Sequence, residues 1–72
     1  MIRVADIQKR IIECLKNSTI TKSELSRKLN ISTSAISQIA NGKILPSLET
    51  LANICTILDV KSDYLLCITE NY

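Results

Sequence analysis

Histidine is absent from this chain, and its three cysteines, Cys14, Cys55 and Cys67, include no C-x-x-C pair. These absences exclude the usual His and Cys metal-ligand spacings and any nucleophile of the Cys–His type. With a single glycine, the chain also has no glycine-rich phosphate loop. Its carboxylates are spread singly, as expected for solvated or helix-capping residues. We therefore expect no catalytic residue, metal, cofactor or small-molecule ligand, and a protein that is not an enzyme.

Phenylalanine and tryptophan are also absent, and the only aromatic residues are two tyrosines. The core must therefore consist of Ile, Leu, Val, Ala and Cys. A chain of 72 residues is short for a domain, so we expect residues 1–72 to form a single domain of modest stability. The odd number of cysteines favours reduced thiols, with Cys14 and Cys55 acting as small apolar residues and Cys67 partly exposed.

Long apolar runs are missing as well. The longest, residues 65–68, contains four residues and is far too short to cross a bilayer. Charged residues interrupt the first sixteen residues, which therefore lack the apolar core of a signal peptide. We expect no membrane partner and a cytoplasmic location.

Charge is present but unevenly distributed. Residues 16–43 contain five basic side chains and one acidic side chain, whereas residues 44–72 contain one basic and four acidic side chains. Residues 1–15 are close to balanced, with three basic and two acidic side chains. Such a polarised chain presents either a basic binding surface or an ordinary solvated face. The fold must decide between these two interpretations.

Helical spacing of apolar residues begins at the N-terminus and predicts a helix over about residues 3–16. Its apolar positions are Val4, Ile7, Ile11, Ile12 and Leu15. Thr21 followed by Glu24 forms a capping box that starts a second helix, running to about residue 29. Asn30 comes next, and asparagine suits the left-handed conformation that ends many helices.

A third helix is predicted over about residues 33–41. Ser32 precedes it as an N-cap, and Gly42 follows it as a terminator. Two short helices separated by so few residues must cross steeply, as in a helix-turn-helix, here over about residues 21–42. On a helical wheel, Ile36, Ile39 and Ala40 share one side of this helix. The opposite side is polar and uncharged, and contains Ser34, Ser37, Gln38 and Asn41.

Two more helices complete the predicted fold. Ser47 can cap a fourth helix, and Ser62 can cap a last one over about residues 63–66. The buried positions expected on the fourth helix are Leu48, Leu51, Ala52, Cys55 and Leu58. No alternation of the kind typical of strands competes with this interpretation. The predicted fold is all-α, a compact domain of five helices.

At this point the sequence resembles a known family. The similarity lies in three segments, TKSELSRKLNIS at 21–32, ISQIANGK at 36–43 and PSLETL at 46–51, and in the closing LDV and DYLL. Their spacing is similar to that of the lambda-repressor/Cro-like (XRE-like) helix-turn-helix family over nearly the whole chain. The resemblance implies a five-helix DNA-binding domain of the lambda-repressor type, in a prokaryotic or phage-type protein associated with the nucleoid.

Some positions depart from that family's pattern. The family usually has Gln at position 22, Ala at 26 and Gly at 30, and often Glu at 40, whereas this chain has Lys22, Ser26, Asn30 and Ala40. Ser26 is nearly as small as Ala where the two helices cross, and its hydroxyl can bond back to the Lys22 carbonyl. The family's glutamine has an amide that can support a base contact. Lys22 has a point charge instead, which suits a phosphate.

The resemblance implies that the third helix enters the major groove of double-stranded DNA. The implied base contacts are Thr33, Ser34, Ser37 and Gln38. Among them Gln38 is the strongest candidate, because its amide can pair bidentately with adenine N6 and N7. The methyl group of Thr33 suits thymine, while the two serines suit a base edge, a phosphate or a bridging water.

Phosphate contacts are implied at both ends of this surface. Lys22, together with the free N–H groups of its helical turn, can hold one phosphate. A second phosphate site lies at the end of the third helix, and its residues are Asn41, Gly42 and Lys43. Arg27 and Lys28 either contact phosphate as well or point into solvent.

One such domain offers few base contacts, so we expect a repressor-like homodimer on DNA, with half-sites about 34–36 Å apart. We expect the dimer surface near the C-terminus, at Leu66, Ile68 and Tyr72, unless that segment is a solvated tail. The alternative function is a protein-interaction module on the same scaffold, an antitoxin or anti-repressor adaptor. The basic segment 16–43 argues against it, since a protein groove gains nothing obvious from Lys22 and Lys43 at opposite ends.

Overall fold

Helices provide all the regular secondary structure within residues 1–70, the part of the chain that the computed structural model describes. In chain order they are α1 (Val4–Asn17), α2 (Lys22–Leu29), α3 (Thr33–Ala40), α4 (Leu48–Leu58) and α5 (Ser62–Leu65). Over these residues, none of the helices has the length and apolar character needed to cross a membrane. The predicted all-α, five-helix fold is confirmed.

Hydroxyl side chains start three of the helices, as predicted. The side-chain oxygen of Thr21 accepts a hydrogen bond from the Glu24 N–H at 3.1 Å. Ser32 and Ser47 cap α3 and α4 in the same way, with distances of 3.0 and 3.1 Å to the N–H groups three residues later. Each cap satisfies a donor that the helix itself leaves unpaired, which fixes where the helix begins.

The turn between α2 and α3 depends on Asn30, which adopts the left-handed conformation with φ 56° and ψ 43°. Its N–H donates to the Arg27 carbonyl at 3.3 Å, and the Ile31 N–H donates to the Ser26 carbonyl at 3.0 Å. These bonds satisfy carbonyls at the end of α2 while the chain changes direction. The predicted helix terminator is confirmed, and α3 follows at once and packs against α2.

Ser26 on α2 is buried, in agreement with the small residue that the resemblance implies at the crossing of α2 and α3. Its hydroxyl donates to the Ser23 carbonyl at 2.8 Å. The prediction that it bonds to the Lys22 carbonyl is therefore wrong. The nearer carbonyl, three residues back, lies within reach of a short side chain, and the buried hydroxyl is thereby satisfied. A small polar residue is consequently tolerated where the two helices approach each other.

The core is aliphatic and sulfur-containing, as predicted from the lack of large aromatic residues. Its buried apolar members are Ile11, Cys14, Leu25, Leu29, Ile36, Ile39, Ile54, Cys55, Val60 and Leu65. Burial raises the pKa of the Cys55 thiol, because the charged thiolate would lose its hydration. The thiol therefore stays protonated near neutral pH and packs as a small apolar side chain.

The predicted apolar stripes are wrong at several positions. Leu48 is 86% exposed and Val4 is 59% exposed, because each is the first residue of its helix and lies beyond the edge of the core. Ala52 is exposed too, whereas Ile54, which the predicted stripe omits, is fully buried. The buried face of α4 is centred on Ile54 because α4 packs between α2 and α5, which both contact that face.

The last helix starts one residue earlier than predicted. Ser62 is its first helical residue, and Lys61 occupies the cap position without a side-chain hydrogen bond. The predicted cap at Ser62 is therefore wrong, because Lys61 is the last residue with extended backbone and Ser62 already has helical geometry.

Arg10 ties α1 to the segment that follows α5. Its guanidinium donates to the carbonyls of Tyr64 and Thr69 at 2.6 and 2.7 Å and to the Glu70 carboxylate at 2.9 Å. It also lies 4.4 Å from the centre of the Tyr64 ring. The sequence pattern places Arg10 on the outer side of its helix, yet the side chain is only 16% exposed. The rigid planar donor group satisfies two carbonyls at the end of the fold.

Candidate nucleic-acid interface

The outward face of α3 is the first part of the candidate interface. Ile36 and Ile39 are buried against the core and Ala40 is half-buried, so the opposite side of the helix faces solvent. That side carries the exposed Thr33, Ser34, Gln38 and Asn41 together with the half-buried Ser37. The four predicted base-contacting residues therefore share one accessible surface, which contains hydrogen-bonding groups and no charge.

The start of α2 lies beside this face. The Lys22 ammonium is 3.4 Å from the Ser37 hydroxyl oxygen, so the two predicted contact residues are neighbours across two helices. The N–H groups of Lys22 and Ser23 form no hydrogen bond within residues 1–70, whereas the next N–H, of Glu24, is held by the Thr21 cap. Two free N–H groups and the positive end of the helix dipole thus point out of the first turn of α2.

At the other end of α3, the backbone is already satisfied internally. The Gly42 N–H donates to the Ile39 carbonyl at 3.1 Å, and the Lys43 N–H donates to the Gln38 carbonyl at 2.9 Å. The Asn41 N–H donates to the Ser37 carbonyl at 2.9 Å. These three residues therefore have no backbone donor left for a phosphate. A phosphate contact here must come from the side chains of Asn41 and Lys43, both of which are exposed.

Gly42 contributes through its conformation and its lack of a side chain. Its φ of 76° is left-handed, and an added Cβ would lie 3.1 Å from the Ile12 side chain on α1. The Gln8 side chain of α1 donates to the Gly42 carbonyl at 2.9 Å. Gly42 thus lets α1 close against the end of α3, and Gln8 fixes that end in place.

Sequence reasoning did not identify Gln8 as part of this arrangement. It lies 34 residues from Gly42 along the chain, and it follows the apolar position Ile7 without belonging to the helical stripe. The one available signal is that Gln8 and Ile12 are four residues apart and therefore share a helix face.

Arg27 and Lys28 differ in their surroundings. Arg27 is exposed and forms no ion pair within the described residues. Lys28 pairs with Glu24 one turn earlier, at 3.8 Å, with both side chains close to half exposed. An exposed pair of this kind contributes little to stability, but it offsets the charge of Lys28. Arg27 is consequently the freer cation of the two.

Four of the seven acidic side chains lie in the chain after α3: on α4, in the turn that follows it, on α5 and beyond α5. Glu49, Asp59, Asp63 and Glu70 are all exposed. α3 itself contains no charged residue, and the Lys22 ammonium of α2 lies beside its outward face. The fold thus brings one basic group, Lys22, beside the outward face of α3, while four acidic side chains follow α3 in the chain.

Residues 1–70 hold no group of three or more Cys, Asp or Glu side chains that could bind a metal ion. Two open depressions within residues 1–70 include no residue of α3. The larger, about 630 Å³, lies between α1 and the segment after α5, where Arg10 crosses it. The second, about 280 Å³, lies beside the α1–α2 loop. The candidate site is thus the exposed surface formed by the start of α2 and the outward face of α3.

Comparison with known proteins shows which family the chain belongs to. A family model described as "Helix-turn-helix" matches residues 11–65, which contain α2, α3 and α4. The chain is also similar to the HTH-type transcriptional regulator YqaE of Bacillus subtilis (strain 168), with 39% identity over 54 residues. That alignment covers 75% of this chain and 47% of the relative, so the chain spans about half the length of the curated relative. No solved structure matches the chain at a significant level.

The match extends over far more than half of the chain and includes the capped α2, the left-handed turn and α3. Its members are DNA-binding domains rather than enzymes, in agreement with the predicted resemblance. This chain belongs to the lambda-repressor-like (XRE-like) helix-turn-helix family of DNA-binding domains.

Proposed function

We propose that this protein is a sequence-specific transcriptional regulator, repressor-like in action, that inserts α3 into the major groove of double-stranded DNA. The observation that carries the proposal is the uncharged, accessible face of α3 lying between Lys22 on one side and Lys43 on the other. A helix of this kind can approach base edges closely while the first turn of α2 on one side and Lys43 on the other hold the phosphates. The relative's name, a transcriptional regulator, supports the same assignment.

Base readout in this proposal centres on Gln38. Its side chain is exposed on α3 and long enough to present both amide groups to adenine. Thr33 and Ser34, in the first turn of α3, contact bases through a methyl group and a hydroxyl. Ser37 is half-buried and lies beside the Lys22 ammonium.

Affinity comes mainly from phosphate contacts. The first turn of α2, with the free N–H groups of Lys22 and Ser23, holds one phosphate. The Asn41 amide and the Lys43 ammonium hold a second, and Gly42 sets the backbone that carries them. Arg27 is the next candidate, and Lys28 follows it because Glu24 offsets its charge.

A homodimer on two half-sites is part of the proposal, and two exposed apolar surfaces are available for it. The predicted C-terminal surface offers Ile68, which is 62% exposed, while Leu66 is half-buried and Tyr72 lies outside the described residues. The second surface follows α3 and contains Ile44, Leu45 and Leu48. The variants Ile68→Asp and Leu48→Asp tell them apart, since only the one at the interface should lower cooperative binding to paired half-sites.

The alternative function is a protein-interaction module, and one observation favours it. Ile44, Leu45 and Leu48 are exposed next to the uncharged face of α3, and exposed apolar groups of this kind are typical of protein contacts. A protein adaptor should not shift mixed-sequence duplex DNA, whereas a DNA-binding protein should shift it in a salt-dependent way.

The proposed function is tested by selecting duplexes from a random pool at about 0.15 M salt, followed by footprinting of the bound sequences. We expect a conserved half-site motif, present twice about one helical turn apart, with protection of the phosphates on both sides. A pool that stays random after several rounds would contradict sequence-specific binding. The same selection also reports half-site symmetry, and therefore the dimer. We further propose that residues 1–72 act as one DNA-binding domain in the cytoplasm.

A further inference from the structure

Lys22 and Ser37 belong to different helices, yet their side chains meet at the surface. The Lys22 ammonium donates a hydrogen bond to the Ser37 hydroxyl oxygen at 3.4 Å. Lys22 is exposed and Ser37 is half-buried, so the ammonium lies over the outward face of α3 rather than extending away from it. A positive charge is therefore held beside the surface that the proposed function places against base edges.

This pair presents hydrogen-bond donors to its surroundings. An ammonium group has three donors and no acceptor. Because the Ser37 oxygen accepts from Lys22, its own O–H is directed away from the ammonium, and it is free to donate outward. The nearest carboxylate on α2, that of Glu24, pairs with Lys28, and Lys22 forms no ion pair within residues 1–70. The site is thus rich in donors and carries an uncompensated positive charge.

The major-groove edges of the four bases differ in how well they match such a site. Guanine presents two acceptors, N7 and O6, whereas adenine presents one acceptor beside the N6 donor. Cytosine presents the N4 donor, and thymine presents O4 beside a methyl group. A buried ammonium that faces a donor or a methyl group loses hydration without replacement. Guanine is the base that satisfies the pair of donors.

We propose that Lys22 and Ser37 together form a guanine-selecting site, which makes Lys22 a specificity-determining residue as well as a source of affinity. The inference rests on the proposed function, because it assumes that α3 lies in the major groove. The backbone N–H of Lys22 still serves the phosphate at the start of α2, while its ammonium acts at the base edge. One residue then contributes to both kinds of contact through different atoms.

The test measures base preference at each position of the selected half-site. Duplexes carrying all four bases at one position are titrated with the wild-type chain and with Lys22→Met, Ser37→Ala and the double variant. We expect one position where the wild-type chain prefers guanine about tenfold, as a good bidentate contact provides. Each single substitution should remove most of that preference at the same position, and the double variant should remove no more, because the two residues act as a unit.

A fourth variant tests whether the base preference changes in a predicted direction. In Lys22→Gln the side chain presents one donor and one acceptor, which match adenine N7 and N6. We therefore expect the preference at this position to move from guanine towards adenine. Lys61→Met, which removes one exposed lysine from the acidic part of the chain, is the charge-matched control and should leave the preference unchanged. Circular dichroism spectra identical to the wild type establish that each variant is folded.

Two results would overturn the inference. If Lys22→Met weakens binding to all four duplexes by the same factor, Lys22 contacts phosphate alone. If Ser37→Ala keeps the full guanine preference, the two residues do not form a shared site. A wild-type chain that binds no duplex above mixed competitor DNA would contradict the proposed function itself, a result distinct from either of these.

Discussion

Asn30 ends α2 and Asp59 ends α4 in nearly the same backbone conformation, with φ 56° at both residues and ψ of 43° and 46°. In both turns the next N–H donates to a carbonyl five residues earlier: Ile31 to Ser26 at 3.0 Å and Val60 to Cys55 at 2.9 Å. Both helices also begin at a hydroxyl cap, Thr21 or Ser47. The two parts of the molecule are thus built with the same local devices.

Their outer surfaces differ sharply. The terminator beside the candidate interface is a neutral Asn, whereas its counterpart after α4 is the acidic Asp59, which lies near Asp63 in sequence. Residues 16–43 are basic in balance and residues 44–72 acidic. The comparison teaches that caps, turns and core residues determine the fold in both parts, whereas the solvent-facing side chains differ, and we propose that only those of the basic part bind DNA.

The largest effect should come from the core of the acidic part. Ile54→Ala removes a fully buried side chain and should lower the free energy of unfolding by about 2–5 kcal/mol. Leu48→Ala, six residues earlier on the same helix, should change it by no more than about 0.5 kcal/mol, because Leu48 is exposed. Urea unfolding of both variants checks this. Equal losses would mean that α4 packs through a different face.

The contrast between Ile54 and Leu48 also shows which features of the fold could be predicted from the sequence alone. The three hydroxyl caps and the Asn30 terminator depend on residues a few positions apart, so they could be predicted. The buried face of α4 could not be predicted, because apolar residues with helical spacing lie on two neighbouring faces of this helix. Packing against α2 and α5 selects the face that contains Ile54.

In the candidate site, too, some features could be predicted from the sequence and others could not. A helical wheel was enough to predict which residues of α3 face outward. The Gln8 contact with Gly42 and the Arg10 contacts with Tyr64 and Thr69 join residues 34 or more positions apart, and no periodic pattern indicates such pairs. The internal use of the Gly42 and Lys43 N–H groups likewise became visible only with the backbone geometry.

The next largest effect concerns base readout. Gln38→Ala should weaken binding to the selected duplex by about 1–3 kcal/mol and relax the preference at one base position. Asn53→Ala, which removes an exposed amide from α4, is the matched control and should bind like the wild type. Titration against duplexes with single base changes measures both properties. Full discrimination retained by the Gln38 variant would assign readout to other residues.

Because Asn30 and Asp59 both have left-handed backbone conformation, the same substitution should have an equal effect on stability at either residue. Asn30→Ala and Asp59→Ala should each lower the free energy of unfolding by about 1 kcal/mol, since Ala tolerates the left-handed region poorly. Asn30→Gly and Asp59→Gly should stay near the wild-type value, because Gly adopts this conformation freely. Urea unfolding of the four variants tests the equivalence, and a large cost at only one turn would break it.

The smallest effect expected is electrostatic and separates the two surfaces most simply. Lys43→Ala should weaken binding to all duplexes alike and reduce the slope of affinity against salt by about one. Lys61→Ala removes the same charge from the acidic part and should leave the slope unchanged. Fluorescence anisotropy at several salt concentrations gives both slopes. Identical slopes for the two variants would exclude Lys43 from the phosphate contacts.

The central claim is that DNA meets the surface of α2 and α3 and leaves the acidic part free. The most direct measurement is an NMR map of backbone amide shifts as the selected duplex is added to the full chain. We expect the largest changes at the start of α2, along the outward face of α3 and at residues 41–43, with little change over residues 53–70. Changes concentrated in residues 53–70, with α3 unaffected, would contradict the claim.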